Sequence, residues 1–330
     1  MTTEITDALR GMGLLGLGEP CTVETLSGGV SCDVYKVSIG DRPLLVVKRA
    51  LPKLRVAADW RAPPERAAAE VAWIRLVAAI DPAWVPTIRG EDRAAHLFAM
   101  DFLPWPVWKA ELAAGHVDIG VARATGAALA RIHAATAGRA DVAAAFDNGA
   151  QFHALRLEPY LLFTAERHPG IAAAIRDEVA RIASARIALM QGDISPKNIL
   201  CGPKGPVFLD AETACFGDPA FDLAFCLNHF LLKAVWHPEF THAYAQSYTA
   251  MVTAYRAGVT WEKDFEIDRR TARLLPMLLL ARVDGKSPAE YLTDSGDRAF
   301  VRGAALQMIV EPPLNLAMLG ETFFSTAAQR

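Results

Sequence analysis

The segment Met190-Gln191-Gly192-Asp193-Ile194-Ser195-Pro196-Lys197-Asn198-Ile199-Leu200 sets a carboxylate and a carboxamide five residues apart, in a stretch broken by glycine and proline. An Asp held in such a loop can take the proton of a hydroxyl. An Asn carbonyl oxygen is a hard ligand of the kind Mg²⁺ accepts. Asp and Asn also favour turns for local reasons, so a plain loop is the competing reading. Twelve positions after Asn198, the apolar run Val207-Phe208-Leu209 ends on Asp210, with Glu212 two residues on. A hairpin between the two segments returns Asn198 and Asp210 to one metal ion; otherwise the carboxylates cap the next helix.

Two upstream features suit a phosphate ligand. In Leu26-Ser27-Gly28-Gly29-Val30-Ser31 a glycine turn joins two β-leaning runs. Glycines let the backbone approach a phosphate and offer it N–H groups, although hairpin turns use glycine as well. Lys48 closes the apolar run Leu44–Val47, either to place its ammonium on phosphates or to snorkel at a strand end. Glu70 follows on a helix and is a candidate ion-pair partner for Lys48, with Glu65 as the competitor.

These residues need two kinds of scaffold. Cys21–Leu26, Ser31–Ile39 and Leu44–Val47 read as strands, Pro63-Pro64 opens a helix, and Ala94–Leu103 returns as a strand. Past Pro106 the chain turns Ala- and Leu-rich with helical periodicity, clearest in Ile119–Ala137. Further helices are predicted over Pro169–Ile182, Pro219–Lys233, Glu239–Arg256 and Glu266–Val283. The expected fold is α+β: a small antiparallel lobe over residues 1–102 and a larger, mostly helical lobe over 103–330. Small-molecule sites favour clefts between such lobes.

Composition bounds the function classes. With 330 residues, 52% of them hydrophobic, the chain is long enough for two lobes and too apolar to be disordered. A net charge of −3 argues against a dedicated nucleic-acid or membrane-surface binder. The five cysteines form no CxxC pair, which suits reduced thiols. The N-terminus lacks a signal-peptide pattern and no apolar run is long enough to span a membrane, so a cytoplasmic location is expected.

Taken in order, the motifs resemble the aminoglycoside phosphotransferase and choline kinase superfamily, the small-molecule relatives of protein kinases, over residues 22–225. Gln191-Gly192-Asp193 through Asn198-Ile199-Leu200 resembles the family's H-G-D-x-x-x-x-N loop. Leu209-Asp210-Ala211-Glu212, then Gly217-Asp218-Pro219-Ala220-Phe221-Asp222-Leu223-Ala224, resembles I-D-W-E and G-D-P-x-x-D-L-A. Gly126 to His133 is similar to the helix preceding the loop, and Met100 to Leu103 to the hinge that receives adenine.

The resemblance implies a bilobal protein-kinase-like fold and transfer of the γ-phosphoryl group of ATP to a small-molecule hydroxyl. It implies Asp193 as the base and Asn198 and Asp210 as Mg²⁺ ligands, with Glu212 as a second metal carboxylate. Gly28, Gly29, Ser31, Lys48, Glu70, Met100 and Phe102 would hold the nucleotide, and Asp218 and Asp222 would brace the loop. Gln191 and Ala211 depart from the usual His and aromatic residue. Two alternatives stay open: a nucleotide-binding regulator without turnover, and a protein kinase, against which stand the missing D-F-G and A-P-E. The acceptor is unspecified. His229, Lys233 and His237, and the Arg282–Pro288 segment, line it or form a polar helix face and a capping turn; their basic members favour an anion.

Overall fold

The computed structural model describes residues 2–26, 31–53, 55 and 63–330. The chain forms two compact units: residues up to Trp105 together with Val207–Thr213, and Pro106–Pro206 together with Ala214–Arg330.

The first unit is built on α1 (Thr2–Gly11), β1 (Thr22–Thr25), β2 (Cys32–Ser38), β3 (Leu45–Ala50), α2 (Arg66–Ile80), β4 (Ile88–Asp92) and β5 (Leu97–Asp101). Its strands make one antiparallel sheet in the order β1-β2-β3-β5-β4. Tyr35, Val37 and Ile39 alternate onto one face and bury against Ile5 and Leu9 of α1. β3 runs three residues past the expected end at Val47, because Lys48 and Arg49 keep pairing with β2 and β5. Lys48 therefore sits inside the sheet, opposite Val34 on one side and Phe98 on the other. β4 has no apolar alternation to announce it: Arg89-Gly90-Glu91-Asp92 is polar, and its register shifts between Ile88 and Gly90. Trp73 of α2 packs edge-on against Phe208 of the returning segment, with 6.2 Å between ring centres.

The second unit opens with α3 (Trp108–Ala113), α4 (Ile119–Thr136), α5 (Ala140–Ala145) and α6 (Gly149–Phe152). A π-helical stretch (His153–Leu162) containing Pro159 leads into α7 (Phe163–Arg167) and α8 (Ala172–Ser184). Short strands β6 (Ala188–Met190), β7 (Ile199–Gly202), β8 (Gly205–Phe208) and β9 (Cys215–Gly217) follow in chain order, β8 running into the Val207–Thr213 segment of the first unit; β6 pairs with β9, and β7 with β8. The chain ends in α9 (Ala220–Trp236), α10 (Thr241–Ala257), α11 (Asp264–Asp284), α12 (Ser295–Val310) and α13 (Leu316–Ala327). α9 is apolar nearly all round and is buried along almost its whole length, as a central core helix must be. α4 and α10 approach closely at Gly126, where a Cβ would strike the carbonyl oxygen of Met251. Among the described residues no helix is long and apolar enough to cross a membrane.

Candidate active site

The first unit carries a cluster around Lys48. Its Nζ donates to Glu70 Oε1 and Oε2 at 2.7 and 2.8 Å, and to Asp210 Oδ1 at 2.8 Å. Glu70, not Glu65, is thus the partner, one helical turn into α2 and buried like Lys48. Burial works against the Lys48 ammonium, but the Asp210 and Glu70 carboxylates outweigh it and hold its pKa well above the ordinary value. Burial pushes the Glu70 carboxyl up to about 7, against the pull of Lys48, and the nearby Asp210 charge adds to the rise. Two carboxylates sharing one cation keep that cation in place. Asp210 takes a left-handed backbone, with φ of 64°. For a residue other than glycine that conformation is strained, and such strain is commonly retained where a side chain must be aimed.

Glu212 meets a different partner. Its Oε2 accepts from Arg66 Nε at 2.8 Å and lies 3.6 Å from the Cys32 sulfur. Burial pushes the Cys32 thiol up to about 12, so it stays protonated and unreactive. Arg66 also donates to the carbonyls of Pro63, Ser31 and Leu51, tying the start of β2 and the end of β3 to the start of α2. Nothing in the sequence singles out Arg66 beyond its place behind Pro63-Pro64. Ser31 is buried and contributes its carbonyl to that knot. Gly28 and Gly29 lie outside the described residues. Met100 is buried within β5, and the Phe102 N–H already donates to Leu44 O at 2.9 Å.

The second unit holds the loop that carries Asp193. Gly192 takes φ of 80°, which lets the chain turn sharply between β6 and Asp193. The Gln191 side chain accepts from Asp193 N at 2.6 Å and so supports the loop. Asp222, fully buried on α9, accepts from the backbone N–H of Gln191 at 2.7 Å and of Gly192 at 2.8 Å. His133 stands behind it, with Nε2 3.4 Å from Asp222 and Nδ1 2.8 Å from the Tyr255 hydroxyl. Asp218 holds a separate brace: despite burial, Arg181 and Arg270 keep its carboxyl below the usual range.

Three donors converge on one oxygen of Asp193. Oδ2 receives Asn198 Nδ2 at 2.8 Å, Lys197 Nζ at 3.0 Å and Arg156 Nη2 at 3.0 Å. Oδ1 has no hydrogen-bond partner among the described residues. Asp193 is thereby fixed in rotamer and left with one oxygen able to accept a hydroxyl. Arg156, whose Nε also donates to Gly192 O at 2.6 Å, escapes sequence reasoning. It comes from the π-helical stretch, 37 residues before Asp193, and nothing local marks it.

The Mg²⁺ implied by the resemblance can be tested against these donors. Asn198 turns its Nδ2 to the Asp193 carboxylate and carbonyl, at 2.8 and 3.0 Å, so its amide oxygen points away as an available hard ligand. Asp210, in the first unit, offers a carboxylate that is paired with Lys48. Each of these two side chains presents oxygen, the donor Mg²⁺ takes.

A first unit built on a five-stranded antiparallel sheet, with Lys48, Glu70 and Asp210, and a mostly helical second unit, with Asp193 and Asn198, define a bilobal α+β fold of the protein-kinase-like class. Residues 22–259 match the model of the phosphotransferase enzyme family (APH), and the chain belongs to that family. Its fold is similar to that of amicoumacin kinase hAmiN, solved with AMP-PNP, Ca²⁺ and Ami (TM-score 0.62, 14% identity, covering 95% of this chain and 94% of that one). It is also similar to choline kinase LicA from Streptococcus pneumoniae (TM-score 0.54, 15% identity, 94% and 99% covered). A choline/ethanolamine kinase family protein from Mesorhizobium loti gives a TM-score of 0.50 at 16% identity, with 99% and 94% covered. A search of curated proteins finds no match.

Proposed function

We propose that the protein is an ATP- and Mg²⁺-dependent kinase that phosphorylates a hydroxyl of a small molecule. The observation that carries this reading is the setting of Asp193, with Oδ2 saturated by Arg156, Lys197 and Asn198 and Oδ1 left to accept. The acceptor hydroxyl would donate to Oδ1, which aims its oxygen lone pair at the γ-phosphorus. A bond forms from the acceptor oxygen to that phosphorus as the bond to the β,γ-bridging oxygen breaks. ADP leaves with the electron pair, and the acceptor's proton passes to Asp193.

The remaining residues position and neutralise, the main contributions to phosphoryl transfer. Lys48, held by Glu70, would fix the α/β-phosphates. Asn198 and Asp210 would hold Mg²⁺, which when bound neutralises phosphate charge. Glu212, engaged by Arg66, would act on this arrangement through Arg66 and the neighbouring Asp210. Lys197 stands beside Asp193 and would meet the transferring group. The neighbour solved with AMP-PNP and Ca²⁺ supports a nucleotide and a divalent ion as ligands.

The test is ADP release from MgATP across a panel of hydroxyl compounds, with Asp193→Ala and Asp210→Ala beside the wild type. Asp193→Ala is expected to abolish turnover and keep the thermal shift given by MgATP, whereas Asp210→Ala loses that shift. Equal loss of nucleotide binding in both variants refutes the separate roles.

A further inference from the structure

Asp222, Phe225, His229, Lys233 and Trp236 recur along α9 at intervals of three and four, and so share one stripe of the helix. Its lower end is Asp222, the anchor of the Asp193 loop. The Phe225 ring lies 5.8 Å from the Arg156 guanidinium, the same group that meets Asp193. From Phe225 the stripe continues to His229 at 6.2 Å and sideways to Tyr160 at 5.4 Å. The Arg282 guanidinium stands 6.0 Å from the Tyr160 ring.

At the upper end the Lys233 ammonium sits between two rings, 5.0 Å from Trp236 and 4.9 Å from Tyr291. Lys233 is 1% exposed, yet its Nζ has no hydrogen-bond partner among the described residues. Arg282 is 9% exposed and, although Nη1 donates to Ser287, its Nε is also unpartnered. The Tyr291 hydroxyl is a third unmatched group beside them. Buried charges are ordinarily paired, because the rings alone do not replace the water a charge gives up. Glu290, the carboxylate whose charge acts on Lys233, is already held by Lys109. The field along the stripe is positive: burial first, then Arg282, Lys233, Lys197 and Lys109 hold the His229 imidazole far below its ordinary pKa.

We propose that this stripe of α9 receives the acceptor, and that the acceptor is an anion whose carboxylate or phosphate pairs with Lys233 and Arg282 while its hydroxyl meets Asp193 Oδ1. The inference rests on the kinase reading and deepens it. Phe225 and Lys233 are eight residues apart, about 12 Å of helix, and a lysine leans back toward the helix N-terminus. The anionic group therefore stands several ångströms from the reacting hydroxyl, with the rings of Phe225 and Tyr160 against the body between. A polyamine or quaternary ammonium acceptor would meet uncompensated positive charge.

Two measurements on the full chain test this. In the first, ADP release from MgATP is followed with matched pairs: long hydroxy acids and their methyl esters, sugar phosphates and the parent sugars, with choline and an aminoglycoside as cations. The anionic member is expected to exceed its uncharged partner at least about 100-fold in kcat/KM, and the two kinds of pair separate a carboxylate from a phosphate. Lys233→Met is expected to raise KM at least tenfold, and by more than it lowers kcat, with partial rescue in Lys233→Arg. Preference for neutral or cationic members, or an unmoved KM, overturns the inference and leaves the kinase reading standing. The second measurement does not depend on turnover: melting temperature with and without inorganic phosphate. Lys233→Met is expected to melt above the wild type in anion-free buffer, because it removes an unpaired buried charge, and to lose the stabilisation that phosphate gives the wild type. A lower melting point in Lys233→Met, or an equal response to phosphate in both proteins, overturns the anion site even if no panel member is phosphorylated.

Discussion

Asp222→Asn removes a charge and keeps the shape, so its cost can be worked out atom by atom. The carboxylate takes the Gln191 and Gly192 N–H groups on different oxygens, at 2.7 and 2.8 Å, with no solvent exposure. An Asn side chain offers one acceptor oxygen and turns an NH₂ toward the other amide. One charge-assisted hydrogen bond is lost, and two buried donors face each other without an acceptor. A bond to a charged group contributes about 1.5–3 kcal/mol, and each buried donor left unmade costs about 1–3 kcal/mol. The sum is about 6 kcal/mol, which lowers the melting temperature by about 12–24 °C in a unit of this size. The loop would shift Asp193 by a fraction of an ångström or more, and turnover falls about 100-fold. Calorimetry reads the stability, and hydrogen exchange reads the site: the amides of Gln191 and Gly192 lose their protection ahead of the rest of the unit. Wild-type melting, or a lower melting point with those two amides still protected, refutes the assignment of Asp222 as the anchor of the loop.

Three further outcomes are expected. Lys48→Met leaves Glu70 buried without its cation; because its carboxyl is already pushed up to about 7, protonation relieves the loss below pH 7. The stability deficit of that variant relative to the wild type therefore grows from pH 6 to pH 8 in urea titrations, and a pH-independent deficit contradicts the pairing. Gly126→Ala should destabilise by about 1–3 kcal/mol despite the better helix propensity of alanine, because its Cβ meets the Met251 carbonyl; an unchanged urea midpoint rules out the close approach. Burial, with the Lys109 charge, lowers the Lys233 ammonium to about 8, among Lys109, Glu290, Arg282, His229 and Tyr291. KM for an anionic acceptor should be flat below pH 8 and rise above it, while Lys233→Arg flattens the profile, since a guanidinium keeps its proton.

The parts of the site that lie close together in sequence are also the parts legible there. Gly192, Asp193, Pro196 and Asn198 sit within seven residues, and each has a residue-type reason to be where it is. The ion pair of Lys48 with Glu70 spans 22 residues, but a strand followed by a helix narrows the choice to two glutamates, and the structure selects the second. Arg156 is different: it reaches Asp193 across 37 residues from a π-helical stretch holding Pro159, and no periodicity marks it. Lys233 reads as part of a polar helix face, since a lysine between histidines looks solvated. The surrounding helices bury it, and only tertiary packing reveals that. β4 is missed because its polar residues ride on an edge strand, where burial imposes no alternation.

The segment Val207–Thr213 belongs to the first unit, although 101 residues separate it from Trp105 along the chain. During synthesis the sheet can pair as soon as β5 emerges, but Phe208 is still missing beside Trp73, and Asp210 beside Lys48. At about 5–20 residues per second, the ribosome needs roughly 5–20 s more to supply them. For that interval Lys48 has one carboxylate rather than two, and the Trp73 ring lacks its aromatic neighbour. The nascent unit is then open to chaperones and proteases, and slow codons between residues 106 and 206 would lengthen that exposure without altering a single residue of the product.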